Sequence, residues 1–528
     1  MNFLEKAIQI ISPKIALSRS IARQKTDLIN SMGSSGYGNH GASTKKKSLA
    51  GWLASGGSAI EDIEHNIPAL RKRSRDLFMG APIATGALKS TVTNVVGSGL
   101  KLNAQIDYEY LGMTPEEADA WETNTEREFE FWASSKDCDV TRMNNFYELQ
   151  QLAFLSELQS GDVFALLPLV KRVTTPYELT VQLVEADRVC NSSINAMSLD
   201  NKIVNGVEID SKGEVIAYHI ANYHPDSAMA VHNKWQRVEK FGVKTGRLNV
   251  LHLMEMERPE QRRGVPVLAS VFEPLKQLNR YSEAELMASV ISGMFTVFVT
   301  TEAPQGGDFG GISAGDEIDP DDDTTVELGN GLVNYLNEGE KVETTNPGRP
   351  NTAFDGFVTS ICRQIGVALE VPYEVLMKHF TSSYSASRGA LLEAWKMYKR
   401  RRDWLANDFC QPIYEEFLAE AIAKGRIHAP GFFDDPIIRK AYVKAEWNGP
   451  TQGQLDPKKE VEAAELRVQG GFSTRTKETI ELTGGDFFGN HNLRVIEEKL
   501  RREAGLNVTN QSSQQNNKSD KEDDADDE

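Results

Sequence analysis

The sequence predicts an α+β fold, and three observations carry that reading. Apolar residues recur at helical spacing in several long stretches, most clearly at 114–134 and 386–424. Residues 162–255 hold short apolar, β-branched runs separated by turn residues. Across 266–370 a helical run, a strand-rich stretch and a second helical run follow one another, so two helices flank a small β insertion.

Residues 1–64 read as a mobile basic arm. The stretch 30–60 is rich in Gly and Ser and carries the lysine triplet 45–47, a composition that buries little. Glu5, Lys6, Pro13 and Lys14 interrupt the apolar character of the first twenty residues, which reads as a terminal arm rather than a signal peptide. A helical run from 65 leads into "TGALKSTVTNVVGSGLKLNAQI", where β-branched residues and glycines predict a strand and a turn. Thr114 and Glu117 form a capping box with Pro115 at the first helical position. Ala118, Trp121, Thr125, Phe129 and Trp132 then share one helical face, and a second helix covers 145–160. "DVFALLPLV" and "ELTVQLVEA" read as strands, and 206–222 as a hairpin turning at Lys212–Gly213. The span 65–260 is thus one α+β unit.

Residues 261–293 predict a helix entered at Pro266 and kinked or restarted at Pro274, with Leu275 and Leu278 as packing positions. Segment 294–350 holds strand-like runs around a Gly- and Asp-rich excursion. Segment 351–378 carries Phe354, Phe357, Ile361 and Ile365 at helical spacing. In 379–388 six hydroxyl side chains, Thr381, Ser382, Ser383, Tyr384, Ser385 and Ser387, crowd into seven positions ahead of Arg388, which reads as a polar loop. Residues 389–429 continue the stripe Leu391, Trp395, Tyr398, Leu405, Phe409, Ile413 and Phe417. Counted from 386, that is a helix of about ten turns, at ~3.6 residues per turn, bent near Pro412. Residues 430–505 form a smaller, mainly helical unit, and 506–528 a disordered acidic tail.

The net charge of −18 is uneven: twelve Lys/Arg face six Asp/Glu in residues 1–80, whereas 518–528 holds seven acids and two lysines. So acidic a chain does not grip nucleic acid tightly, because such affinity comes from cations displacing condensed counterions. It can still let DNA pass. The four cysteines form no CxxC pair, which fits a reducing compartment and no metal cluster. No apolar run approaches the ~20 residues of a membrane span. No phosphate-binding P-loop, zinc-binding HExxH helix or G-x-S-x-G elbow is present, and no cofactor is implied.

Four local patterns leave alternatives open. The hydroxyl run beside His379 is either a serine-nucleophile site or a contact loop. "DPDDDTTVELGN", 319–330, places Asp319, Asp321 and Asp323 as an EF-hand would, but Thr324 and Asn330 replace the required glycine and glutamate. "HLMEMERPEQRRG", 252–264, suggests salt bridges at a seam, or a role for His252 and Glu255. Lys399, Arg400, Arg401 and Arg402 spray around a helix, as ion-pair partners for acids such as Glu393 and Asp403 or as phosphate contacts.

Several segments in order resemble the tailed-bacteriophage portal proteins of the lambda type. They are "NVVGSGLKL", "NNFYELQQLAFLSELQSGDVFALL", "GVEIDSKGEVIAYHI", "HLMEMERPEQRRGVPVLA", "EVPYEVLMKHFTSSYSASRGALLEAW" and "PIYEEFLAEAIAKG", spread over residues 60 to 430. The resemblance implies a ring, normally dodecameric, at the capsid vertex through which DNA enters and leaves. It makes 65–260 the wing, 261–293 and 351–378 the stem helices, and 294–350 the clip. It also makes 379–388 the channel loop, 389–429 the wing helix and 430–505 the crown. Partners implied are double-stranded viral DNA, the terminase large subunit, the major capsid protein with its scaffold, and head-completion or neck proteins, with no membrane. A serine hydrolase and a capsid scaffold protein without a channel are the competing readings.

Overall fold

The structure is a computed structural model that describes residues 56–191, 202–293, 297–301, 340–344, 353–380, 383–453 and 457–506, with a few isolated positions before 56. The EF-hand-like stretch 319–330 and most of 1–64 and 506–528 lie outside the described residues. The chain divides into a unit 1–62 and a compact unit 63–528, and everything below concerns the second.

Two helices open that unit, α1 (Ile67–Gly80) and α2 (Pro82–Val95), each with proline in its first turn, where an N–H has no partner to lose. The second corrects the expected strand. Ala84, Ala87, Leu88, Thr91 and Val95 are buried at helical spacing, and the Thr91 hydroxyl donates to the Ala87 carbonyl at 2.8 Å. Tertiary burial thus overrides the β-branched composition. Strand β1 (Lys101–Ala104) follows. Helix α3 (Pro115–Ala133) begins with the reciprocal capping box of Thr114 and Glu117, and α4 (Phe146–Ser160) with that of Asn145 and Glu148.

Sheet comes next, and it is antiparallel throughout the described strands. β2 (Asp162–Leu166) lies between β3 (Gln182–Val184) and β8 (Val250–Met254). β4 (Lys202–Val204), β5 (Val207–Ile209), β6 (Val215–Ala221) and β7 (Trp235–Glu239) form a meander, with Gly213 at φ 87° turning the β5–β6 hairpin. Helix and sheet are therefore mixed, with no parallel crossover among the paired strands.

The helix expected from Pro266 starts later. A 3₁₀ turn (Ala269–Val271) precedes α5 (Phe272–Gly293), so Pro274 falls in the first turn and breaks no intrahelical bond. β9 (Val297–Thr301) pairs with β10 (Glu340–Thr344), and α6 (Phe354–Ala368) returns. The expected ten-turn helix is divided: α7 (Tyr384–Leu405), a π-helical turn (Ala406–Cys410) and α8 (Gln411–Ala423). Pro412 cannot donate to the ladder and its ring crowds the carbonyl four residues back, so the wide turn sits just before it. A short α9 (Pro436–Tyr442), β11 (Ala445–Asn448), α10 (Pro457–Gln469), α11 (Arg475–Thr483) and α12 (Phe487–Glu503) complete the described chain.

Strand pairing also reaches past residue 430. β11 pairs antiparallel with β1, Lys101 opposite Asn448, and Trp447 enters the main core. That core is aromatic: Phe129 meets Phe146, Tyr414 and Phe417 edge-on at 5.6, 5.7 and 5.2 Å, and Phe146 stacks on Phe409 at 5.8 Å. Residues 445–448 thus belong to the same packed body as 65–260.

Candidate nucleic-acid interface

The hydroxyl run is mostly helix start, not loop. The Ser383 hydroxyl accepts from the Ala386 N–H at 3.4 Å as the N-cap of α7, so Tyr384, Ser385, Ser387 and Arg388 lie in its first turns. Ser385 and Arg388 are exposed, Ser387 is half-buried, and Thr381 and Ser382 lie outside the described residues. The approach to this point is sharply turned. Glu370 (φ 58°) and Lys378 (φ 53°) adopt left-handed backbone on either side of the single turn Tyr373–Leu376. Among the described residues the His379 ring makes no hydrogen bond, to Ser383 or Ser385 included.

The four cations on α7 have separate fates. Arg400 pairs with Glu255 at 3.0 Å and Glu370 at 3.6 Å. Arg401 is only 5% exposed and its Nε has no partner. Arg402 donates to the carbonyls of Val95 at 3.0 Å and Asn94 at 2.9 Å, while its guanidinium lies 5.0 Å from the Trp395 ring. Only Lys399 is exposed without an ion pair among the described residues. Phosphate contact is thereby closed to Arg401 and Arg402 in this arrangement. Glu393, one expected partner of these cations, instead binds Lys396 at 2.7 Å.

Beneath α7 lies Glu157 of α4, a buried residue whose carboxyl makes no hydrogen bond among the described residues. Burial pushes its carboxyl up to about 8, although Arg401 pulls the other way.

The sequence left unnamed the polar centre that holds α1 and the two sheets together. Asp162 is fully buried and accepts from Arg71 at 2.6 Å, Arg263 at 2.6 Å and the Gly264 N–H at 3.1 Å, with His252 at 3.3 Å. Burial favours its neutral form, but the guanidiniums of Arg263 and Arg71 overcome that and hold the carboxyl well below the usual carboxylate range. Arg263 spends its remaining donors on the carbonyls of Ala186, Val189 and Asn205. Gly161 (φ 87°) lets the backbone of Gly264 approach; a Cβ there would meet the Gly264 carbonyl at 2.4 Å. Of 252–264, His252 and Arg263 thus meet Asp162 inside one compact unit, and the sequence signal of this centre is an aspartate opening an otherwise apolar strand.

Among the packing positions, Leu275, Leu278 and Ile365 are buried, and Phe354 and Ile361 half-buried. Phe357 is 48% exposed, and its ring meets Tyr281 at 4.8 Å. Tyr281 also stacks on Phe354 at 5.4 Å, so α5 and α6 lie together.

Against known proteins, the family described as "Phage portal protein, lambda family" matches residues 45–402. The chain belongs to this portal family. The portal protein of Escherichia phage N15 is 24% identical over 87% of this chain and 89% of its own. Portal protein B of Escherichia phage lambda is 24% identical over 90% of each. A probable portal protein of Halomonas phage phiHAP-1 is 22% identical over 78% of each. Among solved structures, the neck of a native GTA particle computed with C12 symmetry aligns over 79% of this chain and 93% of that chain, at 12% identity and TM-score 0.41. As a portal-family member, the chain has its place at the portal vertex of a phage capsid.

Proposed function

We propose that copies of this chain, twelve in number, close into a ring that conducts double-stranded DNA during packaging and ejection. In this reading α5 and α6 are the stem, the β9–β10 pair roots the clip, α7 and α8 form the wing helix, and the turn from 377 into α7 faces the channel. The ring docks the terminase large subunit during filling and head-completion or neck proteins afterwards. It is set in the major capsid protein shell, having assembled with scaffold in the host cytoplasm. The reading rests on one observation above all: a portal-family match covers a chain in which α5, the antiparallel β9–β10 pair and α6 follow one another.

Hydroxyls suit a surface along which DNA slides. They offer exchangeable hydrogen bonds to phosphate without the counterion release that pins a polyanion at lysine. Lysine at Ser382, Ser383 and Ser385 together should therefore stall packaging while rings still form in negative-stain micrographs. Packaging at the normal rate would remove the turn from the mechanism, and micrographs showing only monomers under every assembly condition would remove the ring.

A further inference from the structure

A cleft of about 1320 Å³ lies between α7 and the α10–α11 pair, lined also by β11 and the loop 449–453. Nothing above assigns it a purpose. Its lining holds six Lys/Arg against four Asp/Glu, so the cleft is net positive in a chain of net charge −18. Arg388 and Lys399 on its α7 wall and Lys477 opposite are exposed and form no ion pair among the described residues. Trp395 and Trp447 supply apolar surface between them.

We propose that the acidic segment 518–528 of the same chain docks in this cleft, as an internal polyanion that covers Arg388, Lys399 and Lys477. Complementary charge is the first argument, since the segment holds seven acids and two lysines. Reach is the second. The Gly484 Cα carries a Cβ position 3.5 Å from Thr451, a cleft residue, and α12 begins three residues later. Seventeen helical residues carry the chain at most about 25 Å away, at ~1.5 Å per residue. The stretch from 507 to 518 then spans up to about 40 Å, at ~3.4 Å per residue, which is enough to bring the acids back. Tethering raises their effective concentration to the millimolar range, roughly, so weak pairwise contacts suffice.

The assignment is independent of the ring and is tested on full-length chains of matched oligomeric state. In one variant the seven acids of 518–528 become Asn or Gln. Hydrogen–deuterium exchange over 388–403 and 449–453 should be faster in that variant than in the natural chain. A synthetic peptide of residues 507–528, added to the variant, should restore the slow exchange. Its binding, read by fluorescence anisotropy, should weaken by about tenfold or more with Lys399→Glu and Lys477→Glu, and in the same direction with Lys399→Gln and Lys477→Gln. Raising salt from about 50 to about 300 mM should weaken it as well. Equal exchange in the two chains, or peptide binding indifferent to these lysines, overturns the proposal. So does a short DNA duplex that binds the neutralised variant more tightly than the peptide does, since the cleft would then serve nucleic acid.

Discussion

A carboxyl group buried without a hydrogen bond keeps its proton more readily than its charge, and Glu157 is in that position. Its folded value of about 8 contrasts with an unfolded value of ~4.3. Between the two, the folded chain holds a proton that the unfolded chain has released. Stability from this site is therefore greatest at the acid end of the window and falls as pH rises toward about 8. Burial also pushes Glu126 up to about 7, so the two groups share the slope. Glu157→Gln should flatten most of it and stabilise the protein at about pH 8 by roughly 1–3 kcal/mol. Urea midpoints across about pH 5 to 8 measure this, and superimposable profiles would mean that Glu157 stays ionised against Arg401. Asp162, also fully buried, behaves oppositely: its depressed carboxyl contributes above its unfolded value and loses that contribution only as pH falls through the folded one.

Elements are held as much by cross-chain caps as by their own sequences. Arg402 closes the C-terminal end of α2, where two carbonyls have no helical partner and the dipole favours a cation. Arg402→Ala should cost about 1–3 kcal/mol in a urea titration. Arg402→Lys should recover only part of that, because an ammonium cannot reproduce the fork or the stacking on Trp395. Lys399→Ala, on the same helix but exposed, should stay within about 0.5 kcal/mol. The contrast also shows what the sequence could disclose. Local devices were legible: the Thr114 capping box, the Gly213 turn and the aromatic face of α3 each involve neighbours within a few residues. Long-range partners were not. The β1–β11 pairing leaves no local signature, and Asp162 opening an apolar strand signals a buried charge without naming Arg71, His252 and Arg263 as its partners. From sequence alone, Ser383–Ser387 read as loop for a related reason, since a serine that caps a helix and one that decorates a loop are the same residue until the next turn closes.

At the scale of the whole molecule, the described residues leave long apolar stretches of helix exposed. On α5, Leu286 and Met287 are 66% and 59% exposed, beyond the buried Leu275 and Leu278. On α12, Leu493, Ile496 and Leu500 repeat at i, i+3 and i+7 with more than half of each exposed. Covering one such side chain is worth up to ~1.5–3 kcal/mol, and a closed ring covers every copy equally. Opposing this is the charge of −18 per copy, whose repulsion acts over ~8 Å at physiological ionic strength. The two terms respond differently to salt: repulsion is screened, while apolar burial persists. Assembly should therefore tighten, not loosen, between about 50 and about 300 mM salt. Leu286→Glu with Met287→Glu should abolish it, since each change adds charge and removes apolar area at one place. Mass photometry gives the oligomer distribution, and circular dichroism shows whether the variant subunit is still folded. Folded variant chains that still form rings would move the seam away from α5, and rings that dissolve as salt rises would mean ion pairs rather than apolar faces hold the subunits.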